Sequence, residues 1–296
     1  MHAQPSPNKA GHDGAERDIA FTFVQALAAE LSGGKVELPG FPHVVMRVQR
    51  VLSDEKTDAS KIVRVIGSEP VLATQLIRMA NSAALNPGGT PVTDLRAAVT
   101  RVGVDTVRTA TIAFAMRQLR EAATLRGLEM QLGVLWRRSV QVASLCFVVA
   151  RRLTSTNPDT ALLAGLLQGI GRLYILTRAS RHRSLFCDAA AYQAIEQDWH
   201  LSIAAALLEN WGIADGIVQA VHESENLDRD SRGAPGLPDV LVVGTLLAEV
   251  NGDASALAAQ VQCAKPLQRL RLDQLACERF LAESAQEVAA LRDALG

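Results

Sequence analysis

The side chains best suited to metal ligation or proton transfer in this 296-residue chain are six histidines: His2, His12, His43, His182, His200 and His222. A transition-metal site needs several imidazoles or carboxylates held close together, each oriented by further groups. Only His12 is followed by aspartate, and it sits in an N-terminal stretch rich in Gly, Pro and charge. His200 and His222 can share a face once the chain folds. With Glu223 and Glu225 they are the set from which a rearranged metal site could be built. The simpler role for His200 is that of a helix-start or packed core histidine. The four cysteines, Cys146, Cys187, Cys263 and Cys277, lack the CxxC spacing of zinc and redox sites. They read as reduced, mostly buried thiols in a chain too long to need disulfide staples.

Other linear signals are sparse. No Walker loop, GxSxG, HExxH or EF-hand loop is present. Gly169-Ile170-Gly171 lacks the strand and third glycine of a phosphate cradle, so it reads as a tight turn where two helices approach. Arg178, Arg181, His182 and Arg183 could contact phosphate or a partner, although cations at a helix end also complement the dipole. No neighbouring aromatics offer bases a stacking surface. Arg137-Arg138 and Arg151-Arg152 are 14 residues apart, near one face of a long helix, where they could form a partner surface or simply be solvated.

The elements that must position these groups are helices. Ala, Leu and Val supply most of the 48% apolar content, while aromatics make up only 4%. Ile19, Phe23, Leu27 and Leu31 recur at helical spacing, and Gly33-Gly34 ends that helix. Asp58 is placed to cap a helix, and Pro70 suits the first turn of another. Thr93 or Asp94 caps a helix that stops at Gly103, and Asp105 starts the next. A long helix covers about residues 128–153. Asn157-Pro158-Asp159 joins a capping side chain, a first-turn proline and an acid facing the dipole. Helices follow at about 159–168, 171–178, 184–197, 200–211, 214–224 and 237–250. No segment alternates as a strand would.

Thirty Lys+Arg against 31 Asp+Glu give a net charge of -1, which is not the field of a dedicated nucleic-acid binder. The longest strongly apolar run, Val240 to Ala248, is far short of the ~20 residues needed to span a bilayer. The N-terminus has no apolar signal-peptide core. A cytoplasmic protein is therefore expected.

Six stretches together resemble one family. LPGFPHVVMRVQRVLSD, IVRVIGSEPVLATQLIRMANSAAL and PVTDLRAAVTRVGVDTVR look like the N-terminal part of an HDOD domain. LWRRSVQVA, TALLAGLLQGIGRLYIL and HLSIAAALLENWGIADGIVQAV are similar to its second part, which is related to HD-type metal phosphohydrolases. The likeness covers about residues 20 to 250 in order. It implies an all-α fold, an N-terminal helical bundle packed on an HD-like helical core. The expected divisions are a flexible tail over 1–17, the first subdomain over 18–125, the HD-like subdomain over 126–252 and a C-terminal helical extension over 253–296.

The resemblance also implies a vestigial pocket. Gln168-Gly169 stands where HD enzymes carry an adjacent His-Asp pair, and Arg138 takes the place of an upstream ligand histidine. Ser224-Glu225 replaces a downstream histidine pair, Thr245 replaces a later aspartate, and only His200 keeps a matching histidine. A guanidinium repels a cation and a bare glycine cannot bind one, so no metal or other cofactor is expected. HDOD proteins are generally regarded as non-catalytic signalling modules acting through protein contacts, often in cyclic-di-GMP, stress or motility pathways.

Three hypotheses follow from this pattern. The leading one is a bacterial regulatory protein that binds other signalling proteins, not nucleic acid or membrane, as a monomer or weak homodimer. The second is a nucleotide sensor in which Arg138, Gln168 and Arg172 face the old cavity and hold a phosphate. The third is a phosphohydrolase using His200, His222, Glu223 and Glu225. Tight packing favours closing the emptied cavity with apolar side chains.

Overall fold

The computed structural model describes residues 9–34, 43–52, 58–87, 89–121, 127–186, 188–250 and 253–295, without the side chains of 9–19, 43–46, 49, 119–121, 183, 184 and 254. Cys187 and the entry segment over 38–42 therefore lie outside the described residues. Among the described residues every regular element is helical: α1 (Lys9–Ser32), α2 (His43–Leu52), α3 (Ala59–Gly67), α4 (Pro70–Ala80), α5 (Leu95–Glu121), α6 (Glu129–Leu153), α7 (Pro158–Leu167), α8 (Ile170–Ala179), α9 (Ala189–Asn210), α10 (Asp215–His222), α11 (Leu237–Val250), α12 (Ala254–Cys263), α13 (Lys265–Arg269) and α14 (Gln274–Leu295).

The local signals explain many of these boundaries. Asp58 accepts a hydrogen bond from the Lys61 amide at 2.8 Å, and Asp94 accepts one from Ala97 at 2.8 Å. The Asn157 side chain accepts from Asp159 and Thr160 at the start of α7, with Pro158 as its first residue. Gly103 has φ 78°, a conformation glycine adopts without Cβ strain, and it kinks α5 where a helix end and a new start were expected.

Helices α2, α3 and α4 pack with α5 as a first group, while α6, α7, α8, α9, α10 and α11 form a second. Helix α5 also packs on α6 and α7, and α14 touches both α4 and α6. One hydrophobic core runs through both groups. It is centred on α6, α7 and α11, whose buried residues include Leu145, Leu162, Leu163 and Val243.

Three features differ from the sequence expectation. Helix α1 is already helical at Lys9, the first described residue and inside the stretch expected to be a tail; Ala10, Ala15, Glu16 and Arg17 are good helix formers there. The expected pair of helices over 184–197 and 200–211 is one helix, α9, preceded by a short 3-10 turn at Arg183–Phe186. Nothing in Asp198-Trp199-His200 interrupts the backbone, so His200 lies inside the helix and not at its start. Finally, Glu129–Leu153 and Pro158–Ala179 are long and apolar enough to cross a membrane by length and composition. A search for unbroken apolar runs misses them because polar residues, such as Arg137-Arg138-Ser139 in the first and Gln168 and Arg172 in the second, interrupt both. They are 72% and 89% buried inside the protein, as core helices are.

Candidate functional site

His200 is 1% exposed on α9. Its Nδ1 lies 2.8 Å from the Glu196 carbonyl oxygen and 3.2 Å from that of Gln197. Its Nε2 lies 3.1 Å from Glu225 Oε1, just beyond α10. Carbonyl and carboxylate oxygens accept only, so each ring nitrogen faces an acceptor, and which of them donates depends on the tautomer.

Arg172, the third residue of α8, ties the same groups together. One terminal nitrogen lies 2.5 Å from Glu225 Oε1 and the other 3.4 Å from Glu196 Oε2. Burial raises the Glu225 carboxyl, but the His200 hydrogen bond and charge, with Arg172, outweigh it and lower the group from 4.5 to about 2. Helix α8 can lie this close to α9 because Gly171 has no side chain. A Cβ there would fall 1.9 Å from the His200 carbonyl oxygen. The adjoining Gly169 is less constrained, since a Cβ would fall 2.7 Å from Ser139 Oγ, a side-chain hydroxyl and not backbone. The Gly169-Ile170-Gly171 segment thus serves a close helix approach, as its sequence suggests.

Arg138 on α6 bonds Glu249 on α11 at 2.5 Å. Thr245, one turn before Glu249, is 3% exposed, and Ser224 is 2% exposed. A cavity of about 320 Å³ remains beside these groups, lined by Arg172, Glu196, Ser224, Glu225, Thr245 and Glu249 among others. Apolar filling was expected here; the cavity that remains beside these buried positions has a mostly polar lining, with Leu227 and Leu246 its apolar members. Gln168 is 2% exposed but is not among the lining residues, and Arg138 reaches the cavity only through Glu249. Buried atoms without a hydrogen-bond partner include Gln168 Nε2, Arg138 Nε, Arg172 Nε and Thr245 Oγ1.

The structure therefore brings Arg172, His200, Ser224, Glu225 and Thr245 together. It adds Glu196 and Glu249, which the sequence reading missed. Both stand one helical turn from a residue that was singled out, Glu196 before His200 and Glu249 after Thr245, and that spacing was the available signal. His222 and Glu223 do not join them. His222 is exposed at the end of α10, and Glu223 pairs with Arg229. No cluster of three or more His, Cys, Asp or Glu able to hold a metal occurs among the described residues. The donors present do not fit the divalent cation of the HD enzymes: a guanidinium already occupies the carboxylates, and both imidazole nitrogens face acceptors.

The basic residues outside the pocket are largely spent on internal contacts. Arg178 pairs with Glu30 of α1 at 3.0 Å, donates to the Tyr174 hydroxyl at 3.2 Å and stacks over its ring. Burial, then the Glu30 hydrogen bond, pushes the Tyr174 hydroxyl up to about 12. His182 packs edge-on against Phe23 of α1. This end of α8 anchors α1, so Arg178, a candidate phosphate or partner contact, is engaged within the chain. Arg181 is exposed, and the Arg183 side chain lies outside the described residues. Arg151 and Arg152 both pair with Glu287 of α14, so they hold the C-terminal helix; Arg137 remains exposed.

Helices in this order, with one helical group packed on another around an interhelical polar pocket, form an all-α scaffold of the HD-like kind. The HDOD domain matches residues 38–227, and the chain belongs to the HDOD domain family. Among solved structures it resembles a Shewanella amazonensis SB2B protein, proposed in its name to be a metal-dependent phosphohydrolase, with TM-score 0.74 and 22% identity, covering 94% of this chain and 100% of that one. It also resembles an HDOD domain protein of unknown function from Geobacter sulfurreducens, with TM-score 0.61 and 19% identity over 92% of this chain and 97% of the other. These likenesses show the fold. An uncharacterized protein of Treponema pallidum (strain Nichols) is 22% identical over 222 residues, 70% of this chain but only 41% of that relative's length.

Proposed function

We propose that this chain is a non-catalytic regulatory protein of bacterial signal transduction that works in the cytoplasm by binding another protein. The observation that supports it is the closed ion-pair network of the pocket. Arg172 spans Glu196 and Glu225, His200 bonds Glu225, and Arg138 bonds Glu249. Hydrolysis of a phosphate ester by an HD-type site needs a cation to activate water. Here each carboxylate is already tied to a guanidinium of the chain itself and only one imidazole stands beside them, so the converging nitrogen and carboxylate ligands that chelate a metal are missing. What is kept is the scaffold, with exposed surface on α6 and α9 for contacts.

Nucleotide sensing has less support. Arg172 has both terminal nitrogens engaged by carboxylates, and Glu196, Glu225 and Glu249 around the cavity would repel a phosphate. The experiment is a pair of assays on the full chain. Incubation with bis(p-nitrophenyl) phosphate and cyclic dinucleotides in the presence of Mn²⁺ is expected to give no turnover above buffer. Affinity capture from the source cell is expected to return a stoichiometric protein partner. Turnover that disappears in His200→Ala would overturn the reading.

A further inference from the structure

An apolar groove of about 460 Å³ runs beside the polar pocket, lined by Met130, Val134, Leu135, Leu176, Phe186 and Tyr192 among others. Met130 and Val134 are 78% and 51% exposed, an apolar pair one turn apart on α6. Large apolar side chains in such a patch mark an interaction surface more often than isolated ones do. Glu196 lines both the groove and the pocket, so one turn of α9, from Tyr192 to Glu196, joins the two.

The charge on the pocket side selects the occupant. Its lining carries three carboxylates, Glu196, Glu225 and Glu249, against one guanidinium, Arg172. Arg138, 31% exposed, pairs with Glu249, and His200 lies buried behind Glu225, while the Glu225 and Glu249 side chains are 35% and 42% exposed. Each carboxylate uses one oxygen in the network, Glu225 Oε1, Glu249 Oε1 and Glu196 Oε2. The second oxygen of each is not taken up by these ion pairs and leaves an acceptor on a residue that lines the cavity. Thr245 Oγ1, buried in the pocket wall without a partner, is a further acceptor.

We infer that groove and pocket form one docking surface for a segment of a partner protein that carries an apolar side chain followed by a lysine or arginine. The apolar side chain fills the Met130–Tyr192 groove. The basic head enters the pocket against Glu225 and Glu249, with its stem passing Glu196. This rests on the reading of the chain as a protein-binding module and names the chemistry of what it binds.

The test is selection of random peptides displayed on phage against the full chain, followed by binding measurements on the enriched peptides. Enrichment of an apolar position followed by Lys or Arg is expected. Met130→Asp with Val134→Asp should weaken every enriched peptide roughly tenfold or more. Glu225→Gln with Glu249→Gln should weaken the basic peptides by a similar factor, and peptides with Gln at the basic position much less. Melting curves of each variant separate lost binding from lost folding. No enrichment, enrichment of acidic peptides, or peptides that bind the variants as well as the parent overturn the inference. So does a homodimer in sedimentation that Met130→Asp dissolves, since a second copy would then be the occupant. A cellular partner that still binds both double variants would sink this surface while leaving the protein-binding reading intact.

Discussion

Arg172 holds two carboxylates on one guanidinium, and much of the pocket's geometry depends on that fork. Arg172→Ala leaves Glu196 and Glu225 facing a cavity without their shared cation. A loss of about 1–3 kcal/mol in unfolding free energy is expected from urea melts, held below the buried-pair figure by the partial exposure of Glu225. Arg172→Lys should recover little of it, because a point ammonium cannot serve two carboxylates as a planar fork does. The Glu225 carboxyl, lowered to about 2 against 4.5, makes a second prediction. A depressed folded value adds stability that is complete above about 4.5 and is lost as pH falls toward 2. Urea melts across that window should show a stability slope that is shallower in Glu225→Gln. The sequence could not show these partnerships. Arg138 and Glu249 are 111 residues apart, Arg172 and Glu225 are 53 apart, and only helix packing brings them together. His200 and its substituted neighbours were legible through the family pattern; the carboxylates that satisfy them were legible only as helical spacings.

At the scale of elements, the local chemistry was far more legible. Asn157, Asp58 and Asp94 each accept the backbone bonds their positions suggest, and Gly103 interrupts α5 where its sequence says it should. Asn157→Ala should cost about 1 kcal/mol in a thermal or urea melt, the usual loss for an N-cap. Gly171→Ala should cost more, about 1–3 kcal/mol as for overpacking, because the new methyl meets the His200 carbonyl and backbone cannot step aside cheaply. Calorimetry on the two variants would rank them. What the sequence hid was continuity. The helix pair expected on either side of His200 is one helix, and that difference moves His200 from a helix end to a buried interior position. Start signals mark where a helix can begin; a weak one inside a good helix is overridden by tertiary packing.

On the scale of the whole molecule, α14 is a strap and not an appendage. Gln75 Nε2 donates to the Leu295 carbonyl at 3.3 Å, Arg78 to Ala294 at 3.3 Å, and Arg151 and Arg152 both reach Glu287. Its buried Cys277, Phe280, Val288 and Leu291 complete the core shared by the two helical groups. The all-α architecture was readable from composition and periodicity, whereas this bridging role was not, because the C-terminal pattern is weak and its partners lie over 130 residues away. The scaffold so secured carries a pocket that is charged, bonded and without a fitting set of metal donors.

The most direct measurement is metal analysis by inductively coupled plasma mass spectrometry of the full chain, purified without chelator and after incubation with Mn²⁺, Fe²⁺ and Zn²⁺. The ion-pair network predicts well under one equivalent of any of them, and the same value in His200→Ala. One tightly held equivalent that vanishes in His200→Ala would contradict it.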